Sequence, residues 1–227
     1  MSIRGIFFDA GGVLYQRISP TADFALRLLE ERHFHRRPGD VESRELEIMR
    51  GRASEGGVSH QAYWQRFLIL HGVEDAVQRE IMIGQITDFS NDVQAVPDCP
   101  EALAELRRRG FRLGIVTDTI YPLEWKMKRL EKAGVAHLID VVACSSALGV
   151  HKPDPAIYLD ALRQAGMTPG ESAFVGHDPT ELGGASLAGL VTVAVRYTIP
   201  VKADYYCETM VELLDMPLFQ TAEPVMG

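Results

Sequence analysis

The chain of 227 residues has few cysteines and no long uncharged hydrophobic run. Its three cysteines, Cys99, Cys144 and Cys207, lie far apart and form no CxxC pair. They predict buried thiols in a reducing cytoplasm, and argue against a disulfide framework or a thiolate zinc site. No apolar run approaches the length that spans a membrane, and Asp9 interrupts the short first segment too early for a signal peptide. We therefore expect a cytoplasmic protein without a membrane partner.

Positive charge is also scarce. The chain has 23 lysines and arginines against 31 aspartates and glutamates, which gives a formal net charge of −8. Nucleic-acid phosphates favour a basic face, so we expect no nucleic-acid partner. A small anionic ligand remains compatible with this charge, because clustered donors and a metal ion can reverse the field inside a pocket.

Two kinds of periodicity divide the chain. Short apolar runs typical of strands in a buried parallel sheet occupy residues 3–8, 112–117, 139–144, 173–176 and 191–195. Helical patterns alternate with the later runs at residues 100–110, 122–134, 155–166 and 181–189. This alternation predicts an α/β domain with right-handed crossovers. Residues 16–95 instead carry helical stripes and no convincing strand, at 21–34, 41–51, 60–72 and 77–89, which predicts a helical block inserted after the first strand.

Polar side chains follow four of the predicted strands, at the edge where open α/β sheets bind ligands. They are Asp9, the pair Thr117 and Asp118, then Lys152, and finally Asp178 and Glu181. This set suits attack on phosphorus: a carboxylate nucleophile, donors for phosphoryl oxygens, a lysine, and acids that bind Mg²⁺. Each residue alone has an ordinary structural explanation, such as a turn or a helix N-terminus. Their order at successive strand ends favours the functional interpretation.

Four motifs resemble those of the haloacid dehalogenase (HAD) superfamily, in the same order: FFDAGGVL, GIVTD, HKPDPAIY and FVGHDPTELGGASLAGL. The resemblance implies that Asp9 is the nucleophile, that Thr117 is the phosphate-binding hydroxyl, that Lys152 is the motif lysine, and that acids of the fourth motif bind metal. It also implies a Rossmann-like parallel sheet with an inserted all-helical cap, and usually phosphatase activity through an aspartyl-phosphate with Mg²⁺. We accordingly predict an α/β core at residues 1–15 and 96–227, and a cap at residues 16–95.

The predicted site residues fall into three groups. Catalysis is assigned to Asp9, Thr117 and Lys152. Binding of a small phosphorylated metabolite is assigned to Gly12, Thr117, Asp118 and Lys152. Binding of Mg²⁺ is assigned to Asp9, Asp178, Glu181 and the backbone carbonyl of Gly11. The cap residues that would contact the substrate follow no sequence rule, although Arg17, Tyr63, Trp64 and Arg66 are candidates.

Two positions depart from the family's pattern. The family's phosphatases carry a second aspartate two residues after the nucleophile, as general acid and base, where this chain has Gly11. Their fourth motif usually begins Gly-Asp, where this chain has Gly176 and His177. Two alternatives to a Mg²⁺-dependent phosphatase therefore stay open: a catalytically impaired binding protein, and a metal-independent haloacid dehalogenase. A phosphonatase is disfavoured, because residues 16–95 contain no lysine for a Schiff base. The substrate's identity, the residue replacing the acid and the oligomeric state are not predicted.

Overall fold

A computed structural model describes residues 2–220. Its strands are β1 (Gly5–Phe8), β2 (Tyr15–Gln16), β3 (Gln94–Ala95), β4 (Arg112–Thr117), β5 (Val141–Cys144), β6 (Ser172–Gly176), β7 (Val191–Val195) and β8 (Tyr205–Cys207). Its α-helices are α1 (Thr21–Glu31), α2 (Asp40–Ser54), α3 (His60–Leu70), α4 (Ala76–Asn91), α5 (Cys99–Arg108), α6 (Leu123–Lys132), α7 (Ser145–Leu148), α8 (Pro155–Ala165) and α9 (Pro179–Leu187). Two strands thus precede a segment of four helices, and strands alternate with helices after it.

Six strands form one parallel sheet in the order β5-β4-β1-β6-β7-β8. The central strand β1 is buried throughout, as its apolar sequence GIFF predicts. Its side chains alternate between the faces of the sheet: Ile6 and Phe8 pack into one core, and Phe7 packs into the other. Gly114 on β4 pairs with Phe7, and a Cβ at Gly114 would lie 2.5 Å from the Phe7 ring. Glycine therefore makes room for the aromatic ring inside the sheet.

Helices cover both faces of this sheet, which confirms the predicted Rossmann-like α/β class. One core lies between the sheet, α5, α6 and the C-terminal stretch that ends near Phe219. The other lies between the sheet, α8 and α9. The three cysteines are buried and unpaired, as predicted. None of the helices formed by residues 2–220 is both long enough and apolar enough to cross a membrane.

Helices α1–α4 pack around a core of their own, which contains large side chains such as Trp64, Phe67 and Met82. Side-chain caps fix two helix starts: Ser59 Oγ accepts from Ala62 N–H at α3, and Asp75 Oδ1 accepts from Gln78 N–H at α4. The four helical stripes of residues 16–95 therefore correspond to four helices. We propose that these four helices form a cap at residues 16–95 and that residues 1–15 and 96–227 form the core. Residue 1 and residues 221–227 lie outside the described part.

Two strand predictions need correction. Residues 16–95 are not free of strands at their ends, because β2 and β3 pair antiparallel, Tyr15 with Ala95 and Gln16 with Gln94. This two-residue ribbon is too short to produce a periodic sequence signal. The outer strand β8 was also not predicted, because its sequence YYC keeps both tyrosines exposed at the sheet edge and lacks a buried apolar run.

Candidate active site

The sheet order explains why the predicted site residues converge. Strands β4, β1 and β6 are neighbours, so their carboxyl ends deliver Thr117, Asp9 and His177 side by side. Thr117 is the last residue of β4, Asp9 follows β1 directly, and His177 follows β6 directly. The loop between α7 and α8 adds Lys152, and helix α9 adds Glu181. The structure thus places these five polar groups around one cavity.

An ion pair lies at the centre of this cavity. Lys152 Nζ donates to Asp9 Oδ1 at 2.6 Å and lies 2.8 Å from Glu181 Oε1. Asp9 and Lys152 are both buried, with 6% and 5% of their surfaces exposed. Among the hydrogen bonds of residues 2–220, none uses Asp9 Oδ2, and the buried Glu181 Oε2 has no partner. One ammonium therefore bridges two carboxylates, and each keeps an oxygen for another ligand.

The charges at this site shift one another's titration. Burial alone would lower the pKa of Lys152, but the carboxylates of Asp9, Glu181 and Asp118 outweigh it and raise that pKa above its usual value. Burial, reinforced by the charge of Asp9, raises the pKa of Glu181 to about 8. Lys152 therefore remains an ammonium at any working pH, and it offsets only part of the repulsion between the two acids.

Asp118 adds a third carboxyl group to the cavity. Its Oδ1 accepts from the backbone N–H of Lys152 at 3.2 Å. Burial raises the pKa of this carboxyl, and the nearby Lys152 ammonium reverses only part of the rise. Asp118 thus positions the Lys152 loop, and it holds a proton to higher pH than an exposed aspartate does.

The two glycines after Asp9 have different roles. Gly12 has a φ of +82°, in the left-handed region that favours glycine, and a Cβ there would lie 2.9 Å from the His177 ring. Gly11 has no such constraint, because a Cβ built on it meets no heavy atom within 4 Å. The backbone geometry therefore does not explain the missing carboxylate at position 11.

His177 occupies the position where the family's pattern has an aspartate. Its Nδ1 is buried, has no hydrogen-bond partner and lies 3.8 Å from Asp9 Oδ2. The ring packs over the backbone of Gly12. His177 belongs to none of the three predicted groups of site residues, but the structure places its ring beside Asp9.

The two predicted acids of the fourth motif differ in position. Asp178 caps α9, since its Oδ1 accepts from Thr180 N–H at 2.8 Å and from Glu181 N–H at 3.1 Å. Glu181, on the first turn of α9, reaches Lys152 at the centre of the site. Both line the cavity, but only Glu181 contacts the Asp9–Lys152 pair.

The donor set of this site fits Mg²⁺. No group of three histidine, cysteine, aspartate or glutamate side chains within residues 2–220 converges as a metal cluster. Mg²⁺ does not need one, because it keeps several waters and is bound by one or two carboxylates together with substrate phosphate. The carboxylates of Asp9 and Glu181 are such ligands, since Glu181 Oε2 is buried and unpartnered, and Gly11 lines the same cavity.

Residues of the helical segment close the other side of the cavity, whose volume is about 450 Å³. Three of the four candidate cap residues, Arg17, Tyr63 and Trp64, line it. Arg66 does not, because its guanidinium forms two hydrogen bonds with Glu45 at 2.6 and 2.8 Å.

The cavity wall also contains two cations of α6, Lys126 and Arg129. The sequence analysis did not identify either as a site residue. Both are buried, with 4% and 2% of their surfaces exposed. A signal existed, because both fall on the apolar stripe of the helix beside Leu130. Lysines and arginines in a helix usually face water. The sequence alone therefore favours a solvent-exposed position for Lys126 and Arg129, whereas both are buried.

Comparison with known proteins supports a relationship along most of the chain. Residues 3–189 match the haloacid dehalogenase-like hydrolases. A glyceraldehyde 3-phosphate phosphatase of Pyrococcus abyssi is 30% identical over 86% of this chain and 82% of its own length. One from Methanopyrus kandleri is 38% identical over 44% of this chain, which spans only 42% of that relative. Among solved structures, a dehalogenase superposes with a TM-score of 0.69 at 22% identity, covering 98% and 99% of the two chains.

Proposed function

Because the chain belongs to the haloacid dehalogenase-like hydrolases, we propose that it hydrolyses a small phosphate ester with Asp9 as the nucleophile. The observation that carries this proposal is the buried pair of Asp9 and Lys152 beside Thr117. Lys152 donates to one oxygen of Asp9 and leaves the other oxygen available as a nucleophile. The named phosphatases among its relatives support the same reaction class.

In the proposed reaction, Asp9 Oδ2 attacks phosphorus, because Oδ1 is held by Lys152. The bond between phosphorus and the ester oxygen breaks, and its electron pair leaves with that oxygen, which must then gain a proton. A water molecule subsequently attacks the aspartyl-phosphate, which releases inorganic phosphate and restores the carboxylate. Thr117 and Lys152 bind the phosphoryl oxygens, whose negative charge a fixed donor and a fixed cation stabilise.

A Mg²⁺ ion bound at this site would offset the repulsion between phosphate and carboxylate and orient the phosphoryl group. Asp9 and Glu181 would hold it, with the carbonyl of Gly11. Asp178 stays a proposed ligand, although one of its oxygens caps α9. The four helices of residues 16–95 act in this proposal as a cap that contacts the rest of the substrate.

A panel of phosphate esters, assayed for inorganic phosphate with and without Mg²⁺, tests this proposal. We expect release that depends on Mg²⁺ and is lost in Asp9→Asn, which keeps the size of the side chain and removes its nucleophilic charge. Phosphate release that Asp9→Asn does not reduce would exclude this site as its source. Binding of phosphate mimics without any turnover would instead favour a binding protein.

The empty position at Gly11 favours a second candidate, hydrolysis of a haloacid. In that reaction Asp9 attacks carbon, and the departing halide needs no proton, so an acid at position 11 is unnecessary. The two acids of the fourth motif, Asp178 and Glu181, both line the cavity and favour a metal-dependent site instead. Halide release from 2-chloropropionate in the presence of a chelator would select the dehalogenase.

A further inference from the structure

Within residues 2–220, two buried cations of the cavity wall have no acidic partner. Lys126 Nζ donates to the Tyr15 hydroxyl at 2.9 Å and to the backbone carbonyl of Asp118 at 3.3 Å. Arg129 donates from Nε to Asn91 Oδ1 at 3.0 Å and from Nη2 to Ser90 Oγ at 2.8 Å. Its guanidinium also stacks over the ring of Tyr121, 4.6 Å from the centroid. All these partners are neutral groups.

Other cations reinforce this side of the cavity. Arg17 and Arg50 line it together with Lys126 and Arg129. Within residues 2–220, none of the four forms an ion pair with a carboxylate. Arginines on the outside of the molecule, by contrast, commonly pair with neighbouring acids, as Arg108 does with Glu105. The cavity wall therefore carries a concentrated positive charge in a protein of net charge −8.

Buried cations without a counter-ion destabilise the folded chain, because they lose hydration and gain no opposite charge. Burial lowers the pKa of Arg129, and the neighbouring charge of Arg17 lowers it further. Tyr15 responds to the same field: burial would raise the pKa of its hydroxyl, but Lys126, Arg129 and Arg17 together lower it below its usual value. An anion entering this part of the cavity would supply the charge that the protein does not.

We propose that Lys126 and Arg129 form an anion subsite that selects phosphate esters carrying a second negative group, either a carboxylate or another phosphate. This inference rests on the proposed phosphatase function and specifies its substrate class. Lys126 contacts the carbonyl of Asp118, the residue after Thr117. The subsite therefore adjoins the phosphoryl site, and the two negative groups of the substrate are separated by a short spacer.

Three esters of similar size test the subsite: 2-phosphoglycolate, ethylene glycol bisphosphate and ethyl phosphate. The first carries a carboxylate, the second a further phosphate, and the third a neutral methyl group at the matching end. We expect kcat/KM for at least one of the charged esters to exceed that for ethyl phosphate by about 10- to 100-fold, the range of a charge-assisted hydrogen bond. Which charged ester is preferred identifies the second group.

Lys126→Met removes the charge and keeps much of the side-chain volume. We expect it to reduce the preference for the charged ester by about 10-fold or more. Lys128→Met, on the same helix but exposed, is the matched control and should retain the preference. An unchanged preference in Lys126→Met would overturn the subsite.

If Lys126→Met fails to fold, the ester preference of the parent protein still tests the subsite. Equal kcat/KM for charged and neutral esters in the parent would overturn the proposal and indicate that Tyr15 serves as the internal counter-ion. If the parent hydrolyses no ester, including p-nitrophenyl phosphate, the phosphatase function fails separately. Calorimetric titration of Asp9→Asn with 2-phosphoglycolate and ethyl phosphate then tests the subsite by binding: tighter binding of 2-phosphoglycolate supports it, and equal affinities overturn it.

Discussion

Replacing Gly11 by aspartate would place a carboxyl group two residues after Asp9, the proposed nucleophile. The structure accommodates it, because a Cβ at Gly11 meets no heavy atom within 4 Å and the residue is not among those with positive φ. Substituting glycine where the backbone permits typically stabilises a protein by about 0.4–1 kcal/mol. Repulsion from Asp9 and Glu181 opposes that gain. We therefore expect Gly11→Asp to fold with nearly unchanged stability.

The kinetic effect should depend on the leaving group. A positioned general acid contributes about 10²–10⁴ in rate, equivalent to about 3–5 kcal/mol of the activation barrier. Ethyl phosphate releases a poor leaving group and should gain most of this factor in Gly11→Asp. p-Nitrophenyl phosphate releases a phenolate that needs little protonation and should change only a few-fold. The ratio of kcat/KM for the two esters, measured in parent and variant, reports the acid directly.

Gly11→Asn is the matched control, since it adds nearly the same volume without an acidic proton. An equal gain in Gly11→Asn would mean that the side chain acts by filling space. A parent that already hydrolyses ethyl and p-nitrophenyl phosphate at similar rates would refute the reasoning, because another group would then be donating the proton. Asp118, whose pKa is raised by burial, and His177, 3.8 Å from Asp9, would be the next residues to replace.

Three further predictions follow from the contacts at the site. Lys152→Met should weaken binding of orthovanadate, a phosphate mimic, at least 100-fold by calorimetry, and undiminished affinity would remove the lysine from the phosphoryl site. Glu181→Gln should weaken Mg²⁺ binding strongly. Asp178→Asn should weaken it to a similar extent only if Asp178, which caps α9, is also a ligand. Equal Mg²⁺ affinity in the parent and both variants would exclude both acids as ligands. Gly184→Ala should lower the free energy of unfolding by about 1–3 kcal/mol, because its Cβ would lie 2.3 Å from the Pro153 carbonyl; Gly183→Ala, with open space around its Cβ, should be neutral or stabilising in the same denaturant titration.

The sequence predicts much of the fold because its signals are local. The strand predicted at 112–117 coincides with β4, and the one at 191–195 coincides with β7. Proline and glycine mark the helix ends well: Pro155 opens α8 and Gly166 closes it in the left-handed conformation. Elements that depend on distant partners, such as the ribbon of β2 and β3, leave no such mark.

The site was predictable at the strand ends and less so elsewhere. Asp9, Thr117 and Lys152 follow from sheet topology, because parallel strands end at one edge. Asp178 and Glu181 have different positions because Asp178 caps the first turn of α9. The spacing of the two acids in the sequence does not reveal this capping hydrogen bond. Lys126 was missed although it lies on the apolar stripe of α6, because lysines in helices are mostly exposed to water.

The pairing of Gln16 with Gln94 has a consequence for the evolution of the helical segment between them. This ribbon lies outside the six-stranded sheet and brings the two ends of the helical segment to paired positions, so a segment of different sequence could connect them. Closing a longer excursion costs little additional entropy once its ends are fixed. A different set of helices grafted between these two glutamines should leave the sheet folded. Lys126 and Arg129 lie on α6, outside the exchanged stretch. The graft would therefore change the cavity wall formed by residues 17–93 and leave the wall that contains these two cations in place.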